Sequence, residues 1–165
     1  MSKVLVGVMG AGNLATPKDI ELAYQLGELI AEQGWVLLTG GRRAGVMDAA
    51  SQGAKAVGGL VVGILPSNNI IGISEGVDIP ILTDMGNGRN NINVLSSNVV
   101  IACGMGLGTA SEVALALKNG KPVILLNQTE LTEQFFASLT SDNLFLTRTA
   151  PQAIAIIKEI LTALN

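Results

Sequence analysis

Short apolar runs alternating with longer segments of helical spacing are the feature that most narrows what this chain can become. Val4 to Met9, Val36 to Thr39, Leu60 to Ile64, Val99 to Cys103 and Val123 to Leu126 are rich in β-branched residues and bounded by glycine or proline. Runs of this kind, apolar on both sides, are strands buried on both faces of a parallel sheet. Between them, Lys18 to Gln33, Val46 to Val57, Arg89 to Ser97 and Ala110 to Asn119 space their polar residues to face water. The alternation predicts an α/β chain: a single-domain, Rossmann-like, doubly wound parallel sheet with helices on both faces.

Local signals mark several boundaries. Thr16 followed by Pro17 starts the first helix, Gly34 ends it, and Gly120 closes the fourth. Near the end of the chain, Thr149-Ala150-Pro151-Gln152 has the spacing of a capping box, and Ile154, Ile157, Ile160, Leu161 and Leu164 form an apolar stripe at helical period. A short strand over Leu144 to Leu146 precedes that helix, and Pro66 to Gly76 is a loop. No internal repeat, low-complexity tract or linker interrupts the 165 residues, so one domain is expected over 1–165.

Composition removes several classes of function. A 48% apolar content with 14% charged residues supports a sizeable core, yet no apolar run approaches the roughly 18 residues of a membrane span. Met1-Ser2-Lys3 leads directly into a strand-like segment, so no signal peptide is expected, and a cytoplasmic protein without membrane partners is expected. Cys103 is the only cysteine, so neither an intrachain disulfide nor a thiolate cluster for zinc is available. A net charge of −3 argues against a broad nucleic-acid-binding surface. With no histidine in the chain, any catalysis must rest on carboxylates, arginine, lysine or backbone groups.

Against this acidic background, three of the four arginines sit in glycine-rich turns: Arg42 and Arg43 after the second apolar run, and Arg89 after Gly88. Two further turns, Gly7-Val8-Met9-Gly10-Ala11-Gly12-Asn13 and Gly104-Met105-Gly106-Leu107-Gly108-Thr109, carry no side-chain charge but can aim backbone N–H groups at a phosphate or oxyanion. In a parallel sheet all these turns meet beyond the strands' C-terminal ends. The first has Gly-x-x-Gly-x-Gly spacing, but Thr39-Gly40-Gly41-Arg42 stands where an acidic residue would hold the ribose of NAD, so NAD is disfavoured while a 2′-phosphorylated nucleotide stays open. Arg89 opens a helix, where a cation opposes the helix dipole, and a bound anion would explain it better than helix stability does. Thr109-Ala110-Ser111-Glu112 has capping-box spacing for the start of the fourth helix. It also sets Glu112 within a turn of the glycine loop, where it can accept hydrogen bonds from a ligand's hydroxyl, amine or pterin-type N–H groups. Met47 and Met105 are core or pocket-wall residues.

Three blocks in order, Gly40-Gly41-Arg42-Arg43-Ala44-Gly45-Val46-Met47, Gly88-Arg89-Asn90-Asn91 and Gly106-Leu107-Gly108-Thr109-Ala110-Ser111-Glu112, resemble the signature blocks of the superfamily that contains the LOG proteins. Within it, the short length and these blocks are most similar to the branch of molybdenum cofactor carrier proteins. For that branch the resemblance implies a non-catalytic carrier of molybdenum cofactor, or of molybdate, that protects the cargo and delivers it to molybdoenzymes. Contacts would come from Gly10, Ala11, Gly12 and Asn13, from Gly40, Gly41, Arg42, Arg43 and Gly45, from Arg89 and Asn90, and from Gly106, Leu107, Gly108, Thr109 and Glu112, with no protein ligand to the metal. Homo-oligomers, dimers or tetramers, are usual among the proteins that the chain resembles.

The LOG enzymes cleave the N-glycosidic bond of cytokinin nucleoside monophosphates through a PGGxGTxxE motif and an arginine from an MHxRK block. Glu112 and Arg89 match those positions. Gly104 and Met105 replace the Pro-Gly pair, Asn90 replaces the lysine, and no histidine completes the earlier block. Three readings follow: a cofactor carrier, a phosphoribohydrolase using Arg89 and Glu112, and a nucleotide sensor.

Overall fold

The computed structural model describes residues 3–140 and 142–163. Its sheet has seven parallel strands: β1 (Leu5–Gly10), β2 (Val36–Thr39), β3 (Val61–Leu65), β4 (Ile79–Leu82), β5 (Val99–Cys103), β6 (Val123–Leu126) and β7 (Leu144–Thr147). They lie in the order β4-β3-β2-β1-β5-β6-β7. Six helices connect or follow them: α1 (Pro17–Glu32), α2 (Gly45–Ala56), α3 (Arg89–Ser96), α4 (Leu107–Lys118), α5 (Glu130–Leu139) and α6 (Ala150–Ala163). The doubly wound Rossmann-like arrangement expected from the sequence is the one found.

Strand alternation separates two cores. Val6, Val8, Leu37, Val61, Ile101 and Ile124 pack against Leu22, Leu26 and Ile30 of α1, Ala50 and Ala54 of α2, and Ile154 and Ile157 of α6. Met9, Leu38, Ile64, Val100, Ala102 and Leu125 face Val94 of α3, Val113 and Ala116 of α4, and Phe136 of α5. The central strands are buried on both faces, which is why each reads as an unbroken apolar run. α1 and α2 lie unusually close, because a Cβ on Gly27 would strike the backbone of Ala50 and Ala54, and one on Gly53 that of Tyr24.

Boundary signals fared unevenly. At α1, Thr16 accepts from the Asp19 N–H and Asp19 from the Thr16 N–H, a complete capping box, and Gly34 follows its end with φ +72°. At α6, Thr149 accepts from the Gln152 N–H, but the Gln152 side chain turns to Thr147. Leu164 of its apolar stripe lies outside the described residues, as do Met1 and Ser2.

Two elements lie outside the sequence reading, and two assignments change. β4, Ile-Pro-Ile-Leu, is an exposed edge strand, and α5 begins under a Thr129 cap. α4 starts at Leu107 with Gly106 as its N-cap, so Thr109-x-x-Glu112 is not a capping box: Thr109 is already inside the helix and Glu112 points to another partner. Gly7 belongs to β1 rather than to the turn after it; any side chain there would collide with Ser97 and with Met9.

Candidate functional site

β1 lies between β2 and β5, so the connections on its two sides leave in opposite directions along the sheet. Ligands settle beyond the strands' C-terminal ends at such a reversal. A cleft of about 330 Å³ opens there.

The four turns meet around it. Gly10, Ala11, Gly12, Asn13 and Leu14 form one wall; Gly40, Arg42, Ala44 and Met47 form the next; Asn87, Arg89 and Asn90 the third; Gly106, Leu107, Gly108, Thr109 and Glu112 the fourth, with Met9 at the base. Three sequence-predicted positions do not line it. Gly41 and Gly45 shape the second turn from behind, and Arg43 points away, pairing at 3.1 Å with Glu75 on the surface. That pairing follows from backbone direction: an isolated bridge joins Arg42 to Ile73, and the Arg43 N–H donates to the Gly72 carbonyl, which sets Arg43 beside the loop carrying Glu75.

Close packing joins the turns into one surface. Gly45 adopts φ +48°, and a Cβ on it would overlap the Gly12 and Ala11 carbonyl oxygens. Next to it, the Val46 N–H donates to the Ala11 carbonyl at 3.0 Å. On the other side, Gly104 (φ +69°) lies against the Asp19 carboxyl, where any side chain would come within 2.7 Å of its carbon. Gln128 Nε2 donates to the Ala102 and Gly104 carbonyls at 3.0 and 2.8 Å, fixing the start of the fourth turn. Nothing around Gln128 in the sequence marks that role.

Charge in the cleft is sparse: Arg42 is exposed, and Arg89 and Glu112 are buried. Arg89 is only 8% exposed, and its Nε has no hydrogen-bond partner. Burial pushes its guanidinium below the ordinary value; nearby Glu112 opposes the shift and Arg42 adds to it. The guanidinium passes directly over Gly40, where a Cβ would overlap Arg89 Nη1 and stand 2.6 Å from Met47 Sδ. Glu112 is also buried. Burial raises its carboxyl above the usual range, while the hydrogen bond from Asn93 and the charge of Arg89 pull it back. Asn90 donates to Ser111 Oγ at 2.8 Å, tying α3 to the first turn of α4.

Helix ends supply the remaining polarity. α1 and α5 carry threonine caps, whereas α2 and α4, whose N-termini border the cleft, have no side-chain cap. Apart from the Val46 N–H, which the Ala11 carbonyl takes, their first N–H groups and their positive dipole ends are left for something else to satisfy. The arrangement can hold an anion near Arg89, Arg42 and these N–H groups, with Glu112 as an acceptor alongside. Cys103 plays no visible part: it is buried behind the cleft, and burial, reinforced by Asp19, pushes its thiol up to about 12. Among the described residues no group of three His, Cys, Asp or Glu is placed to hold a metal ion.

Asn87 and Asn93 were not singled out from the sequence. Asn87 was legible as part of the glycine turn that delivers Arg89; Asn93 lies one helical turn beyond Arg89 on α3, but its bond to Glu112 on α4 leaves no mark in the sequence.

Solved structures share this architecture over nearly their full length. The molybdenum cofactor binding protein from the phototrophic bacterium Rippkaea orientalis is 60% identical, with a TM-score of 0.96 over 98% of this chain and 99% of that one. The molybdenum cofactor carrier protein of Chlamydomonas reinhardtii is 48% identical, with a TM-score of 0.93 over the same shares. A cytokinin riboside 5'-monophosphate phosphoribohydrolase of Mycobacterium tuberculosis is more distant, 28% identical over 97% of this chain and 91% of that protein. The resemblance read from the three sequence blocks therefore holds, and with residues 3–155 matching its model, the chain belongs to the SLOG cluster4 family.

Proposed function

We propose that this chain is a non-catalytic carrier that binds molybdenum cofactor as cargo, shelters it and passes it to a recipient molybdoenzyme. The observation that carries the reading is the buried Arg89 guanidinium, whose Nε is unpartnered and which lines a cleft bordered by two uncapped helix N-termini. A buried cation left incomplete is costly unless an anion completes it. Structures 48–60% identical to this chain are those of proteins described as binding or carrying that cofactor, which supports this identity for the anion.

In this reading Arg89 and Arg42 hold the anionic end of the cargo by charge-assisted hydrogen bonds. Backbone N–H groups of the cleft-lining residues, at Gly10 to Asn13, Gly40 and Arg42, and Gly106 to Thr109, hold its oxygens. Glu112 accepts hydrogen bonds from its N–H or O–H groups, and Asn90 and Asn87 complete the wall. Arg43, paired with Glu75 outside the cleft, makes no contact with the cargo in this reading. Among the described residues no helix is long and apolar enough to cross a membrane. A single cytoplasmic domain assembling as a dimer or tetramer fits the reading.

The retained Arg89 and Glu112 favour one alternative, N-glycosidic cleavage of a nucleoside monophosphate. Incubation with such nucleotides separates the two readings: the carrier releases no free base, whereas release that disappears in Glu112→Ala assigns an enzyme. Positive evidence for carriage is uptake of cofactor freed anaerobically from a molybdoenzyme, followed by slower oxidative loss of the bound than of the free cofactor.

Gly40→Ala separates site from scaffold. The new methyl meets the far ends of Arg89 and Met47 rather than backbone, so the guanidinium and the thioether can shift aside at modest cost to the fold. Losing its charge-assisted contacts, worth about 1.5–3 kcal/mol, is expected to weaken cofactor retention by about tenfold or more. Thermal melts and cofactor retention on a desalting column check the two halves; a large drop in melting temperature with retention unchanged would contradict it.

A further inference from the structure

We propose that Asn93 is a positioning residue that keeps Glu112 ionised and aimed, so that the cleft selects a cargo presenting hydrogen-bond donors beside its anionic end. The assignment of Asn93 to Glu112 stands on geometry alone; its consequence for cargo rests on the carrier reading.

Asn93 is fully buried on α3, and its Nδ2 donates to Glu112 Oε1 at 2.8 Å. The same amide leaves its Oδ1 buried without a partner. Buried amides normally satisfy both ends, so this one is held in place by what its nitrogen does. Turned over, Oδ1 would face Oε1, two acceptors in contact unless Glu112 carried a proton. The observed orientation is the one that an ionised carboxylate requires. The backbone is pinned in support, with Ser97 Oγ donating to the Asn93 carbonyl at 2.8 Å.

Few other groups act on Glu112. Of the elements packed on α4, the strands β1, β5 and β6 carry no charged side chain, and α3 contributes Arg89. Arg42, across the cleft, acts on Arg89. An ionised Glu112 repels a bare oxyanion and attracts N–H and O–H donors. The cleft thus has two unlike halves: Arg89 and Arg42 for an anion, Glu112 for donors. A ligand bearing both satisfies it, and molybdate or phosphate alone satisfies one half.

The test titrates Glu112 in protein labelled with ¹³C at the glutamate carboxyls, using Glu112→Gln to identify its resonance. In Asn93→Leu the midpoint is expected to rise by about one pH unit or more, tenfold in the ionisation constant. Asn93→Ala, which asks for no extra volume, should move it in the same direction. An unchanged midpoint in folded variants overturns the assignment. A second arm compares retention of cofactor with that of molybdate: the variants should lose preference for cofactor while molybdate binding holds or improves. If the midpoint moves but the preference does not, the selection claim falls. If the wild type takes up no cofactor while the midpoint still moves, the carrier reading falls and the Asn93 assignment stands.

Discussion

Arg89→Met is expected to strip the protein of its cargo while leaving the fold as stable as before, or more so. Arg89 is 8% exposed with its Nε unpartnered, and burial depresses its guanidinium. Without a bound anion the fold bears the cost of desolvating that charge. Among the described residues Arg89 forms no salt bridge, so an apolar residue of similar length relieves that cost without stranding a directly paired carboxylate, and Glu112, coupled to it at longer range, is left to take up a proton more readily. Removing a buried charged partner from a complex costs about 2–5 kcal/mol, roughly thirty-fold to several-thousand-fold in affinity. The expected signature is therefore opposite in sign for stability and binding. Thermal melting of cargo-free protein and cofactor content after purification measure them. A variant that melts well below wild type yet keeps its cofactor would assign Arg89 to the scaffold.

The second large effect is structural and then functional. Gly45→Ala is expected to destabilise the protein by roughly 3 kcal/mol. About 1–2 kcal/mol comes from a left-handed alanine, and the rest from overlap with the Gly12 and Ala11 carbonyls. For a chain of this length that lowers the melting temperature by about 6–12 °C. Gly58→Ala is the internal control, because Gly58 has φ +74° with nothing within 4 Å of its added methyl. It should lose only the conformational share and keep its cargo. Gly45→Ala should also retain less cofactor, because prising apart the first and second turns misplaces the N–H groups of both. Equal losses in the two variants would show that the contact with the first turn is not what requires glycine at 45.

The sheet was legible because its inner strands are buried on both faces, so burial alone writes an apolar run into the sequence. β4 escaped that logic: it is an exposed edge strand, and Pro80 within it argues locally against a strand. α4 was placed late because glycines at 106 and 108 weaken the helical signal where N–H groups must stay open to the cleft. Convergence of the turns followed from strand order, which the alternation of elements implies. The direction of Arg43 did not, since it depends on an isolated bridge between residues far apart in sequence. The support given by Asn93 and Gln128 was hidden for the same reason: each acts on an element remote along the chain.

Metal and pterin analysis of one anaerobically purified sample reaches the central claim most directly. The account predicts molybdenum and pterin together, in equal molar amounts, bound to the wild-type protein and lost together from Arg89→Met. Molybdenum without pterin, a nucleotide in place of both, or undiminished cofactor in Arg89→Met would contradict it.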